Sequence, residues 1–272
     1  MTSIVPDENG DLWISADKGV CRYDGKTFIS GYSENRTLSI APGGSGTAWF
    51  GSNGLYYHDG QKLHNFDVED GLVSNAIRKI LRDRKGNIWI GTREGVSRYD
   101  SGTSLGKDAW KTFTVEDGLG QNDVRTIFED RDGNIWIGTG GGGVSRYDGK
   151  TWYQFTPDDG MLLTYVRAIY QDREGHIWFG GSGSVARYDG VTFRTFTTQD
   201  GFPMDRVEMG GQDREGHYWF GSVRGLSLFD TETVTTYSYG DYTHLDDTGY
   251  SLKDQKGRLW YGTRNGVGYT IM

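Results

Sequence analysis

Cysteine is nearly absent: Cys21 stands alone among 272 residues, which excludes an intramolecular disulfide and any cysteine-based zinc site. No run of about twenty apolar residues exists to span a membrane, and the opening MTSIVPDENG lacks the basic-then-apolar order of a leader. The segment therefore reads as soluble as written, without membrane contact of its own, and its compartment stays open. Basic charge is also short. Lys and Arg number 29 against 37 Asp and Glu, a net charge of -8 that repels polyphosphate, so nucleic acid is not an expected partner. The motifs of common catalytic sites are missing too: no G-x-S-x-G, H-E-x-x-H, phosphate loop or paired Cys/His occurs.

What remains is distinctive. Only 35% of residues are hydrophobic, yet 14% are aromatic, and 43 glycines accompany 4 prolines, a mixture expected of many short strands joined by tight turns. Self-similarity explains it. Trp13, Trp49, Trp89, Trp136, Trp178, Trp219 and Trp260 each sit in a copy of D-x-x-G-x-x-W-x-G-x-x-x-G-V-x-x-Y-D, at spacings of 36, 40, 47, 42, 41 and 41 residues. Such periods are those of four-stranded propeller blades. The expected fold is all-β: one seven-bladed β-propeller over 1–272, with four-stranded antiparallel blades near 1–35, 36–75, 76–122, 123–164, 165–205, 206–246 and 247–272.

In the fourth repeat VRTIFED, NIWIGT, GVSRYD and TWYQFT read as strands A to D, each bounded by Gly or Asp. The A–B turn is DRDG, where Asp130 can bond the turn backbone and Gly133 can take a positive φ; YDGKT turns the chain between C and D by the same chemistry. Strand side chains alternate, so Trp136 points opposite to Ile135 and Ile137, and neighbouring blades cover both faces. Burying one such indole removes about 150–250 Å² from water, worth on the order of 4–6 kcal/mol. The seven indoles, with Tyr23, Tyr99, Tyr147 and Tyr188, are thus expected to be core residues. Three departures fall in loops: Gly43 replaces the turn Asp, the second repeat shortens its B–C loop, and SGTSLGKDA lengthens the third C–D loop. The last repeat reaches GVGYTIM without a D strand, so its blade is expected to be three-stranded and closed by packing on the first.

The unit DGLVSNAIRKILRDRKGNIWIGTREGVSRYD resembles the two-component regulator propeller repeat, and the likeness runs through essentially the whole chain. That resemblance implies a bacterial sensing module of a hybrid two-component regulator, extracytoplasmic, often recognising carbohydrate, with signalling domains elsewhere. Standalone propellers of this kind also occur, and a fold hosts many functions.

Antiparallel connectivity puts the B–C and D–A loops on one face, the top, and the repetitive A–B and C–D turns on the other. The top loops differ in every repeat, and a mixed surface at a channel mouth is where a ligand is expected. Eleven residues before the repeat tryptophans lie Arg78, Arg125, Arg167 and Glu208; two residues earlier come Asp123, Tyr165 and Arg206; the B–C loops add Arg93, Arg224 and Arg264. Guanidinium groups in that number suit an acidic or sulfated sugar or an acidic peptide. The same arginines also fit a structural role, pairing with Asp123 and Glu208. Acidic top loops such as Glu69-Asp70-Gly71 and Glu116-Asp117-Gly118 match no calcium-loop spacing, and neither a metal nor a cofactor is expected.

Histidines are badly placed for catalysis. His176 and His217 follow the A–B turn glycines, His58 ends a C strand, His64 lies on a D strand, and only His244 is in a top loop. A general base needs a partner and a reacting group within reach. The leading expectation is a non-catalytic propeller that binds a small molecule, glycan or peptide. The alternatives are a lyase or hydrolase acting on a polysaccharide or small molecule through His244, Asp247 and Tyr165, and a structural scaffold with no ligand.

Overall fold

The D-x-x-G and Y-D-G-x-T turns reverse the chain as their chemistry requires. In the computed structural model, which describes residues 3–16, 19–33, 37–104, 106, 109–202, 206–213, 215–222, 225–238, 250–253, 259–263 and 266–269, Asp130 Oδ1 accepts the N–H groups of Asp132 (3.0 Å) and Asn134 (2.9 Å), and Gly133 has φ 86°. Asp148 Oδ1 does the same for Lys150 and Thr151, both at 2.8 Å. Four strands result: Val124–Glu129, Ile135–Thr139, Val144–Tyr147 and Trp152–Phe155. Among the described residues the pattern repeats as six four-stranded sheets, each connected in chain order, followed by the three strands Tyr250–Lys253, Leu259–Thr263 and Gly266–Tyr269. Sheets 1 to 6 span 3–33, 39–66, 79–113, 124–155, 166–196 and 207–238. The pairings are antiparallel throughout, as expected, with Trp89 opposite Leu81 on one side and Arg98 on the other.

The chain divides into two compact units, residues 1–137 with 146–153, and 138–145 with 154–272. In the first unit Trp13, Trp49, Trp89 and Trp136 are buried, and in the second Trp178 and Trp219 are. The side chain of Trp260 lies outside the described residues. Five of these six indoles are placed by more than packing. Their Nε1–H groups donate to the turn aspartate six residues earlier: Trp13 to Asp7 (3.2 Å), Trp89 to Asp83 (2.9 Å), Trp136 to Asp130 (2.7 Å), Trp178 to Asp172 (2.8 Å) and Trp219 to Asp213 (2.8 Å). One buried carboxylate thus satisfies both the hairpin backbone and the indole, as burial of polar groups demands. Sheet 2 has Gly43 at this place, where a Cβ would stand 2.5 Å from Thr47 Oγ1. Asp7 of sheet 1 reaches across instead, its Oδ2 accepting the Gly46 N–H at 3.2 Å.

Adjacent sheets approach closely at the glycine two residues after Trp49, Trp89 and Trp178. A Cβ on Gly51 would lie 2.9 Å from Ile77, on Gly91 2.5 Å from Val124, and on Gly180 2.7 Å from Val207. The W-x-G spacing therefore records close approach by strand A of the next sheet, not a turn.

The D–A connections are short 3-10 turns. Thr114, Thr156 and Thr197 donate their backbone N–H to Asp117, Asp159 and Asp200 at 2.8–2.9 Å, and Asp67 does so to Asp70 at 3.0 Å. Left-handed Gly118, Gly160 and Gly201 end these turns, and the next residues, Leu119, Met161 and Phe202, are buried. D-G-L is a capping motif with an apolar anchor. Asp70 and Asp117 are capping groups.

Candidate functional site

Strand A breaks its regular alternation at one recurring place. In sheet 5 Val166 faces Gly181 but Ala168 faces Gly180, so Arg167 is an extra residue; in sheet 6 Val207 faces Ser222 and Met209 faces Gly221, so Glu208 is extra. A bulge of this kind re-aims a side chain and favours functional sites. In sheets 2 and 3 the equivalent N–H groups, of Leu38 and Arg78, bond the carbonyls of Gly51 (3.0 Å) and Gly91 (2.9 Å). Counting back eleven residues from tryptophan had marked these positions; the register supplies the physical reason they are special.

In the first unit three of the expected residues converge. Asp123 Oδ1 lies 3.3 Å from Arg78 Nε, and Asp123 Oδ2 is 2.5 Å from Arg125 Nη2. All three side chains are 20–26% exposed, half-covered yet open to solvent. The structural pairing considered from the sequence is therefore present for Arg78 and Arg125 with Asp123. Arg93 is exposed in its B–C loop. In the second unit the Arg167 guanidinium sits 4.5 Å over the Tyr165 ring, a cation–π contact, while Tyr165 bridges to Gly140 and the exposed Arg206 to Ser182. Glu208 is placed by its backbone alone. Arg224, Arg264, His244 and Asp247 lie outside the described residues.

Sequence reasoning passed over a second arginine set. Arg22, Arg98, Arg146 and Arg187 lie 5.2–5.9 Å over Trp13, Trp89, Trp136 and Trp178. The signal was the recurring R of V-x-R-Y-D, which strand register puts directly opposite the indole. In sheet 2 Tyr57 takes that place and stacks on Trp49 at 4.3 Å.

Asp172, Glu174 and His176 bring one ligand atom each to within 4.8 Å of one another. Their chemistry is already spent. Asp172 Oδ2 accepts Trp178 Nε1, the Tyr218 hydroxyl (3.0 Å) and His176 Nδ1 (3.0 Å), and Glu174 Oε2 accepts Gln212 Nε2 at 3.4 Å. Burial and the Asp172 hydrogen bond push the Tyr218 phenol well above its usual range, so it stays a donor. Nothing here makes it a nucleophile.

Tandem four-stranded antiparallel sheets on a shared Asp–Trp scaffold define a β-propeller repeat protein. Residues 71–94, 118–141 and 160–183 match the two component regulator propeller family. No curated protein matches the sequence. Among solved structures, the extracellular domain of the hybrid two component system BT3049 from B. thetaiotaomicron is similar over 98% of this chain and 38% of its own length, at 24% identity and a TM-score of 0.81. The extracellular domain of BT4673 from the same organism is similar over 100% and 38%, at 19% identity and TM-score 0.78. Virginiamycin B lyase from Staphylococcus aureus is similar over 99% and 94%, at 13% identity and TM-score 0.72. The chain thus spans about two fifths of the two extracellular domains, and at these identities the likeness is one of fold. Among the described residues no helix is long and apolar enough to cross a membrane.

Proposed function

We propose that the seven sheets are the blades of a seven-bladed propeller whose last blade has three strands, and that it serves as a non-catalytic recognition module. Its ligand is an anionic small molecule, glycan or peptide, with an acidic or sulfated carbohydrate first among them. The location that follows is extracytoplasmic, in a bacterial two-component sensor whose signalling domains are separate. The observation that carries this reading is the A-strand bulge of sheet 5, which makes Arg167 an extra residue and sets its guanidinium over the Tyr165 ring, with a second bulge at the same place in the backbone of sheet 6. Arg78, Arg93, Asp123 and Arg125 in one unit, and Tyr165, Arg167, Arg206 and Glu208 in the other, are the residues proposed to contact ligand.

A panel of neutral, uronate-containing and sulfated oligosaccharides tests the proposal through unfolding-temperature shifts, with product release followed in parallel. An anionic glycan is expected to raise the unfolding temperature without turnover. Replacing Arg125 and Arg167 together by Gln is expected to weaken its binding about a hundredfold, since each lost charge-assisted contact costs on the order of 1.4 kcal/mol, a factor of about ten. Unchanged affinity in the double variant would remove the arginines from the site. Release of product would instead favour a lyase or hydrolase, for which Tyr165 is the residue to replace next.

A further inference from the structure

One repeat position holds an imidazole where the others hold an unionised ring. Opposite the residue that precedes the tryptophan stand Tyr23 in sheet 1, His58 in sheet 2, Tyr99 in sheet 3, Tyr188 in sheet 5 and Phe229 in sheet 6. The phenols of Tyr23 and Tyr188 donate to the carbonyls of Gly25 (2.9 Å) and Gly190 (2.7 Å). His58 reverses the polarity. Its Nδ1 accepts the Gly60 N–H at 3.2 Å, so that nitrogen carries a lone pair and the proton of the neutral ring is on Nε2.

The ring is wedged between sheets 1 and 2. Tyr32 meets it edge-on at 4.7 Å and 79°, and Trp13, itself fully buried, lies 5.9 Å away. The ionisable groups facing it are few. Sheet 1 contributes Tyr32, Arg22, which is engaged with Asp11, and Asp7, which is engaged with Trp13 and Gly46. Sheet 2 contributes Asp59, held by the N–H groups of Gln61 and Lys62, and His64, 2.7 Å from Asp59 Oδ2. Among the described residues no carboxylate bonds the His58 ring. Burial holds its pKa below the ordinary imidazole value, against the opposing pull of the Gly46 backbone and Asp59.

We propose that His58 is a pH-responsive latch between sheets 1 and 2: seated while neutral, and driven out on protonation, when an Nδ1–H would oppose the Gly60 N–H and a cation would enter the Trp13–Tyr32 wedge. The sign follows from proton linkage. The unfolded chain binds the proton more readily than the folded one, so the latch stabilises the fold above about pH 6.5, and that contribution is lost as pH falls below it. A module at a cell surface would thereby loosen one junction under mild acid while sheets 5 and 6 stay closed.

Urea unfolding and amide exchange at pH 7.5 and 5.0 test this on the whole chain, with His58→Tyr, His58→Phe and His64→Gln beside the wild type. The wild type is expected to lose midpoint concentration at pH 5.0 and to lose exchange protection in strands Gly19–Tyr23 and Gly54–His58 before strand Ile177–Gly181. Either His58 variant should shrink both losses, whereas His64→Gln should retain them. Parallel pH responses in wild type and the His58 variants would overturn the proposal. Should both variants fail to fold, the His58 ring proton followed by NMR decides: titration at or above the unfolded midpoint would equally overturn it.

Discussion

Asp130→Ala is expected to lower the unfolding free energy by about 3–5 kcal/mol, read as a urea midpoint shift with an unchanged slope. The carboxylate is buried and accepts four N–H groups: backbone Asp132 and Asn134, the Asn134 side chain at 2.8 Å, and Trp136 Nε1. Alanine leaves the indole N–H unpaired in a dry site and unties the A–B turn in the same step, and a buried donor without an acceptor costs more than the bond itself was worth. Asp130→Asn keeps the volume and one acceptor, so its loss should be smaller. Were Asp130→Ala to cost less than about 1 kcal/mol, the turn and the indole would be held by something else.

Gly91→Ala should destabilise by about 2–3 kcal/mol even though it adds a single methyl group and improves strand propensity. The new Cβ would stand 2.5 Å from Val124 Cγ1 and 3.2 Å from Ile127 Cδ1, side chains that are themselves buried, so relief requires strand Val124–Glu129 to back away. Gly106→Ala is the matched control. Nothing lies within 4 Å of a Cβ there, and its change should stay within about 0.5 kcal/mol. Equal effects at the two glycines would mean that close packing of strand A is not what the W-x-G spacing encodes.

Much of this architecture could be read from spacing because it is made of local chemistry repeated many times. The turn role of Asp130 and Gly133, the burial of Trp13, Trp89 and Trp136, and the division of a repeat into four strands all depend on residues within about ten positions of each other, and periodicity averages out the ambiguity of any one copy. The second duty of Asp130 was hidden although its spacing recurs, because a carboxylate reaching an indole depends on how the hairpin twists. The arginine site was half-visible. Counting located Arg78, Arg125 and Arg167, but only register shows that Arg167 occupies a bulge, and only the approach of sheets 3 and 4 shows Arg78 and Arg125 sharing Asp123. Pairings between repeats have no fixed sequence separation, so pattern reasoning cannot reach them. His58 had seemed the bland end of a C strand; its wedge against Tyr32 and its bond to Gly60 belong to the junction between two sheets.

The account rests on the bulged ends of the A strands being the working side and the Asp–Trp turns being scaffold. Amide exchange with and without the anionic oligosaccharide that most raises the unfolding temperature separates the two most directly. Slowed exchange over residues 76–80, 123–127 and 165–169, with residues 84–87, 131–134 and 173–176 unchanged, is the predicted result. Protection confined to those turns, with the arginine segments unaffected, would contradict it.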